Sequence, residues 1–186
     1  RGMGLSNVFA AIEAGVDRVH GTGLGIGERV GNTEMDVLLV NLKLMGLHDG
    51  DVSRLPEYCN LVARSTGLEV PHDYPVFGRD AFRTGTGVHA AAIIKAREKG
   101  DDWLADRVYS SVPAGIFGLE QCIEISHVSG MSNVKFWLSR NGYNAGDDAL
   151  CRRVFELAKH TNRVLDDTEI HACCAEHGAV PQIAQA

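Results

Sequence analysis

DRVHGTGLGIGERVGNTEMDVLLVNLKLMG, from Asp17 to Gly46, joins three local patterns in one stretch. DRVHGT is short, has a polar start and carries β-branched residues, which predicts a strand. GTGLGIGERVGN, Gly21 to Asn32, has five glycines in twelve residues and predicts a loop. TEMDVLLVNLKLMG then places Met35, Leu38, Leu39, Leu42 and Met45 at helical spacing and stops at Gly46. Upstream, LSNVFAAIEAG sets Leu5, Val8, Phe9 and Ile12 on one helical face and stops at Gly15. The predicted order is helix, strand, glycine-rich loop, helix, a piece of an α/β fold whose ligands gather at loops after the C-terminal ends of strands.

What the loop can do follows from its spacing. A dinucleotide fingerprint needs G-x-G-x-x-G, whereas Gly23, Gly25 and Gly27 fall at every second position, and the Gly-Lys-Ser/Thr of a nucleotide loop is absent. A plain turn with Glu28 and Arg29 as a solvated pair at its tip stays open on the residues alone. So does a site. Glycines let backbone approach a small ligand, and an acid, an amide oxygen and a guanidinium at Glu28, Asn32 and Arg29 suit a hard divalent cation and a carboxylate substrate.

Outward from the loop the chain becomes mostly helical. HDGDVSRLPEYCNLVARSTGL predicts a helix capped by Ser53 and closed by Gly67. The proline- and glycine-marked segment after it places a domain boundary near Pro71, giving domains of 1–70 and 71–186. Further helices are predicted over Val88–Lys99, from Asp101 to Arg107, and over Asn133–Asn141, Asp147–His160 and Asp167–Glu176. YSSVPAGIFGLEQ predicts a loop, EISHVSGMSN a short strand and turn, and GAVPQIAQA a loose tail.

Composition narrows the function classes. The 186 residues carry a formal net charge of −6, with 24 Asp and Glu against 18 Lys and Arg, and show no basic run interleaved with aromatics, which argues against nucleic acid. No apolar stretch approaches the roughly 18–20 residues of a membrane span, and the N-terminus lacks signal-peptide features, so a cytoplasmic protein is expected. Five cysteines without a CxxC pair predict neither a disulfide framework nor a structural zinc site. HACCAEH is read as an amphipathic helix with inert thiols.

At this point the residues carry a resemblance. VHGTGLGIGERVGN resembles the last-strand signature of the 2-isopropylmalate synthase and homocitrate synthase family, barrel enzymes that join acetyl-CoA to a 2-oxo acid. RTGTGVHAAAIIKA resembles the family's linker motif with its single His, YSSVPAGIFG the loop carrying a Tyr, and HVSGMSNVKFWLSRNGY the Ser-Gly turn and helix that follow. The resemblance implies the C-terminal piece of a (β/α)8 TIM barrel over 1–70, then a mostly helical linker subdomain over 71–186.

Carried over by position, the resemblance implies Asn32 as a ligand of a divalent metal (Zn, Mn or Mg) and Glu28 as an acid near the reacting centre. It implies His89 in proton transfer with Tyr109 supporting it, and a homodimer, since in the family these two reach into the partner's barrel. His20 and Thr22, alternating along the expected strand, with Gly25 and Gly27, are candidates to line the substrate site. Without the resemblance, Asn32 reads as a cap, His20 and His89 as packed or surface histidines, and Tyr109 as an ordinary amphipathic contact.

The implied activity is condensation of acetyl-CoA with 2-oxoisovalerate, as in leucine biosynthesis, with citramalate and homocitrate synthases as alternatives. The H-x-H pair and first-strand acid of the family are absent, and the chain starts with Arg. The expectation is therefore a piece of a longer enzyme, truncated or separately encoded, that does not catalyse alone. A barrel lyase or aldolase, which would not need the linker, and a non-catalytic subunit complementing a separate N-terminal half are the readings from other classes.

Overall fold

The computed structural model describes residues 2–182; the end of the expected tail, 183–186, lies outside them. The described chain is helical with few strands. It divides into two compact units, Arg1–Ala81 with Val112–Glu120, and Phe82–Ser111 with Gln121–Ala186.

In the first unit, α1 (Gly4–Glu13) ends where Gly15 turns the chain with φ 86°. The expected strand over 17–22 does not form. Its residues make a single parallel bridge, Thr22 to Glu34, because extended backbone becomes a strand only when a neighbour takes up its hydrogen bonds, and no ladder lies along 17–21 among the described residues. A one-turn 3-10 helix, Gly23–Gly25, opens the glycine loop, and α2 (Met35–Leu44) follows it. The third helix, α3 (Leu55–Thr66), has Pro56 in its first turn, where a missing N–H costs nothing, and closes on Gly67 at φ 71°.

Ser53 is not its cap. The residue before α3 is Arg54, without a capping side-chain bond, while Ser53 donates its backbone N–H to Asp51 Oδ1 in a turn. The core of this unit is Val40, Val52, Leu55 and Phe117. Phe117 is fully buried and comes from a second 3-10 helix, Ala114–Phe117, inside the segment expected to be a plain loop. Gly118 makes that return possible: its φ is 69°, and a Cβ there would lie 2.3 Å from the Ser53 carbonyl oxygen.

The second unit opens with β1 (Arg83–Thr84), which pairs in parallel with β2 (Cys122–Ile123) in the register Arg83 to Cys122 and Thr84 to Ile123. Between them lie α4 (Gly87–Glu98) and the short α5 (Asp102–Ala105), whose Asp101 accepts the Leu104 N–H at 2.9 Å as an N-cap. Ala90, Ile93, Ile94, Ala96, Ala105 and Ile123 make one cluster. The larger cluster joins α6 (Met131–Arg140), α7 (Asp148–Lys159) and α8 (Asp167–Glu176) through Val134, Leu138, Leu150, Val154 and Ile170. Helix α6 starts two residues ahead of the expected Asn133, because Gly130 is its N-cap and the Asn133 side-chain carbonyl accepts the Gly130 N–H at 3.2 Å.

No helix among the described residues is long and apolar enough to cross a membrane.

Candidate functional site

The glycine loop is closed on itself by backbone hydrogen bonds. Thr22 N donates to Thr33 O and Met35 N to Thr22 O, both at 3.0 Å, which ties the loop's base to the start of α2. Asn32 N donates to Gly25 O at 2.7 Å across the loop, and Thr22 Oγ1 donates to Ile26 O at 2.8 Å. This crossing is why Gly31 must be glycine, whereas the neighbour of Gly27 is the end of a side chain. A Cβ on Gly31, at φ 94°, would sit 2.2 Å from Gly25 O, and one on Gly27 would sit 1.9 Å from Asn32 Nδ2.

The polar groups are presented at the tip. Glu28 and Arg29 are exposed side chains, 90% and 86% accessible, with a loose ion pair at 3.9 Å that contributes little in water. Asn32 is exposed, and its amide nitrogen donates to Ile26 O at 3.2 Å. That bond leaves the amide oxygen as an acceptor of the kind a hard cation takes, a donor type that fits a divalent metal as one contributor. Among the described residues, no group of three or more His, Cys, Asp or Glu could hold an ion. Asn32 is thus a single potential ligand here and not a complete site.

His20 is exposed and lines a cavity of about 300 Å³ between α1 and residues 16–20, together with Asn7, Arg18 and Thr33. Thr22, Gly25, Gly27, Glu28 and Asn32 are not among the residues lining it. Thr22 and Gly25 instead build the base of the loop, and Gly25 is buried at φ 67°.

In the second unit the structure brings His89 and Tyr109 together. His89 lies in the first turn of α4, Tyr109 follows α5, and their rings stack with centroids 4.1 Å apart at 28°. Both are exposed, Tyr109 by 51%, so the stack leaves the imidazole open to solvent. The turn leading into α4 is held from beneath: Ser129 Oγ donates to Gly85 O at 2.6 Å, and Asn133 Nδ2 donates to the same oxygen at 3.2 Å.

Sequence reasoning missed three groups beneath the loop. Asp36, fully buried in the first turn of α2, accepts the Leu24 N–H at 2.7 Å on Oδ1 and the Tyr74 hydroxyl at 2.7 Å on Oδ2. Burial, and then the Asp36 carboxylate, push the Tyr74 hydroxyl well above its ordinary range. The same two causes in the same order push the buried Cys59 thiol up to about 12. The signal in the sequence was an acid set directly before the apolar run Val37–Val40, since such a group is seldom buried without partners.

In HACCAEH, Cys173 and Cys174 are buried, His171 Nδ1 is 2.7 Å from the Tyr143 hydroxyl, and His177 lies 3.3 Å from Asp147. Each polar group in that helix has a structural partner.

The glycine loop and the helices flanking it fall inside a family match. A model described as HMGL-like covers residues 1–62. Those residues, a third of the chain, are similar to the HMGL-like family. Relatives extend the likeness beyond the HMGL-like stretch. The chain is 32% identical over 164 residues to homocitrate synthase AksA of Methanothermobacter thermautotrophicus, covering 87% of this chain and 40% of that protein. It is 32% identical over 170 residues to a Methanopyrus kandleri protein named as an (R)-citramalate synthase, CimA, covering 89% of this chain and 32% of that one. It is 27% identical over 179 residues to the 2-isopropylmalate synthase of Staphylococcus aureus, covering 92% and 33%. The chain thus spans less than half the length of these relatives, and their likeness covers 87–92% of it, well beyond the HMGL-like residues.

Proposed function

We propose that this chain supplies the last part of a TIM barrel, over 1–70, and the helical linker subdomain, over 71–186, of an acetyl-CoA-dependent synthase that condenses a 2-oxo acid. The observation that carries the reading is the self-closed Gly21–Asn32 loop presenting Glu28 and Asn32 at its tip, within the residues that match the HMGL-like family. The names of the relatives support the class of reaction.

The reaction removes a proton from the acetyl methyl, forms a carbon–carbon bond from the resulting enolate to the keto carbon, and hydrolyses the thioester. Glu28 and His89 are the groups for the proton work. Tyr109 stacks on the His89 ring, and its proposed part is to support that proton transfer. Asn32 offers its amide oxygen as one ligand of a divalent ion (Zn, Mn or Mg), which when bound supplies Lewis acidity toward a keto and carboxylate pair. His20, Thr22, Gly25 and Gly27 are proposed to shape the substrate side, with the glycines admitting close backbone approach. A homodimer in the cytoplasm is the assembly proposed, with His89 and Tyr109 serving the partner's site.

Among 2-oxo acids, 2-oxoisovalerate is the first choice, because the Asn of GERVGN resembles the 2-isopropylmalate and citramalate branches more than the homocitrate branch. The test is release of free CoA thiol by the full-length protein from acetyl-CoA with 2-oxoisovalerate, pyruvate or 2-oxoglutarate, each with added divalent metal. Turnover fastest with 2-oxoisovalerate, lost in His89→Ala and Asn32→Ala, supports the reading. Fastest turnover with pyruvate or 2-oxoglutarate moves the protein to the citramalate or homocitrate branch, and no thiol release with any acid sinks the synthase assignment.

A further inference from the structure

Asp36 takes no part in the proton work proposed above, yet it is a fully buried carboxylate. It joins two segments far apart in sequence: the loop, through the Leu24 N–H, and the irregular segment after α3, through the Tyr74 hydroxyl. Leu24 stands at φ 53°, ψ 21°, a left-handed conformation that residues with a Cβ rarely adopt and that persists where surroundings over-determine it. The next residue, Gly25, offers its carbonyl oxygen to Asn32 N at 2.7 Å. On the loop's other side a Cβ on Gly23 would lie 2.7 Å from the Tyr58 hydroxyl, so the backbone there rests on α3. A shift at Leu24 is therefore passed through Gly25 to Asn32.

We propose that Asp36 and Tyr74 are positioning residues for the Gly21–Asn32 loop: the carboxylate locks Leu24 in its left-handed turn, Tyr74 holds the carboxylate, and together they set where Glu28 and Asn32 are presented. This rests on the reading of the loop as the metal and substrate loop.

The test compares Asp36→Ala, Asp36→Asn and Tyr74→Phe in the full-length protein by hydrogen exchange and by the divalent-metal concentration for half-maximal CoA release. Expected are faster exchange across 21–32 in Asp36→Ala and Tyr74→Phe, with exchange in α2 and α3 unchanged. The metal requirement should rise on the order of 10–100-fold, as for other groups that orient a ligand from behind. Asp36→Asn, which keeps an acceptor for Leu24, should recover part of both effects. If Asp36→Ala does not fold, Tyr74→Phe carries the test, since phenylalanine fills the same ring volume. Loop exchange at the wild-type rate, or exchange rising equally in α2 and α3, overturns the proposal. Faster loop exchange in a protein whose wild type releases no CoA upholds the positioning role and removes the synthase reading instead.

Discussion

Two glycines of the loop separate strain from displacement. At Gly31 the backbone φ is 94° and the obstacle to a Cβ is a backbone oxygen, so Gly31→Ala should cost about 1–3 kcal/mol of strain, read as a lowered thermal midpoint. At Gly27 the obstacle is the end of the Asn32 side chain. Gly27→Ala should therefore push the amide off Ile26 O, leave stability within about 0.5 kcal/mol, and weaken metal-dependent turnover. Equal loss of stability in both variants would show that the loop does not hold Asn32 as described. The glycine-rich loop was legible from the sequence, and Glu28 and Asn32 marked it as a candidate site. Asp36 with Tyr74 was not, because their hydrogen bond spans 38 positions and no local period reports it.

At the scale of the element, helices were legible wherever an apolar face and a stop residue coincided. Helix α7 keeps Leu150 and Val154 buried as its spacing predicts, with Asp147 accepting the Ala149 and Leu150 N–H groups at 3.0 Å. Helix α8 starts on a capping box in which Asp166 accepts the Glu169 N–H and Glu169 accepts the Asp166 N–H. Arg163 first, and then the Asp166 N–H, hold the Glu169 carboxyl down to about 2 from an ordinary 4.5. A carboxyl depressed in the folded state adds stability above its unfolded value, so this contribution is complete above pH 4.5 and fades as pH falls toward 2. Urea midpoints of wild type and Glu169→Gln should differ most near pH 6 and converge near pH 2, more weakly in high salt because the Arg163 partner is exposed; a constant gap would contradict the assignment. The strand over 17–22 failed where the helices succeeded because a helix satisfies its own backbone, whereas a strand depends on a neighbour that no window of sequence contains.

For the whole molecule, the two units carry separate apolar cores, one around Phe117 and one around Leu150 and Val154. Phe117→Ala should cost about 3–5 kcal/mol and Leu150→Ala about 2–5 kcal/mol. Native-state hydrogen exchange should accelerate within residues 2–81 for the first and within α6, α7 and α8 for the second; acceleration of both regions by either change would mean one cooperative core. The prolines led to an expected boundary near Pro71, whereas the first compact unit runs on to Ala81 and takes in 112–120, a return that no local pattern announces, since Ile116 and Phe117 look like any apolar pair in a loop. That return also orders events in time. During synthesis at about 5–20 residues per second, α2 and α3 wait on the order of seconds before Phe117 emerges, and until then Val40, Val52 and Leu55 lack the buried aromatic ring of their cluster. A nascent chain paused between 81 and 112 should consequently be held by a chaperone that recognises apolar surface more strongly than one that has passed 120.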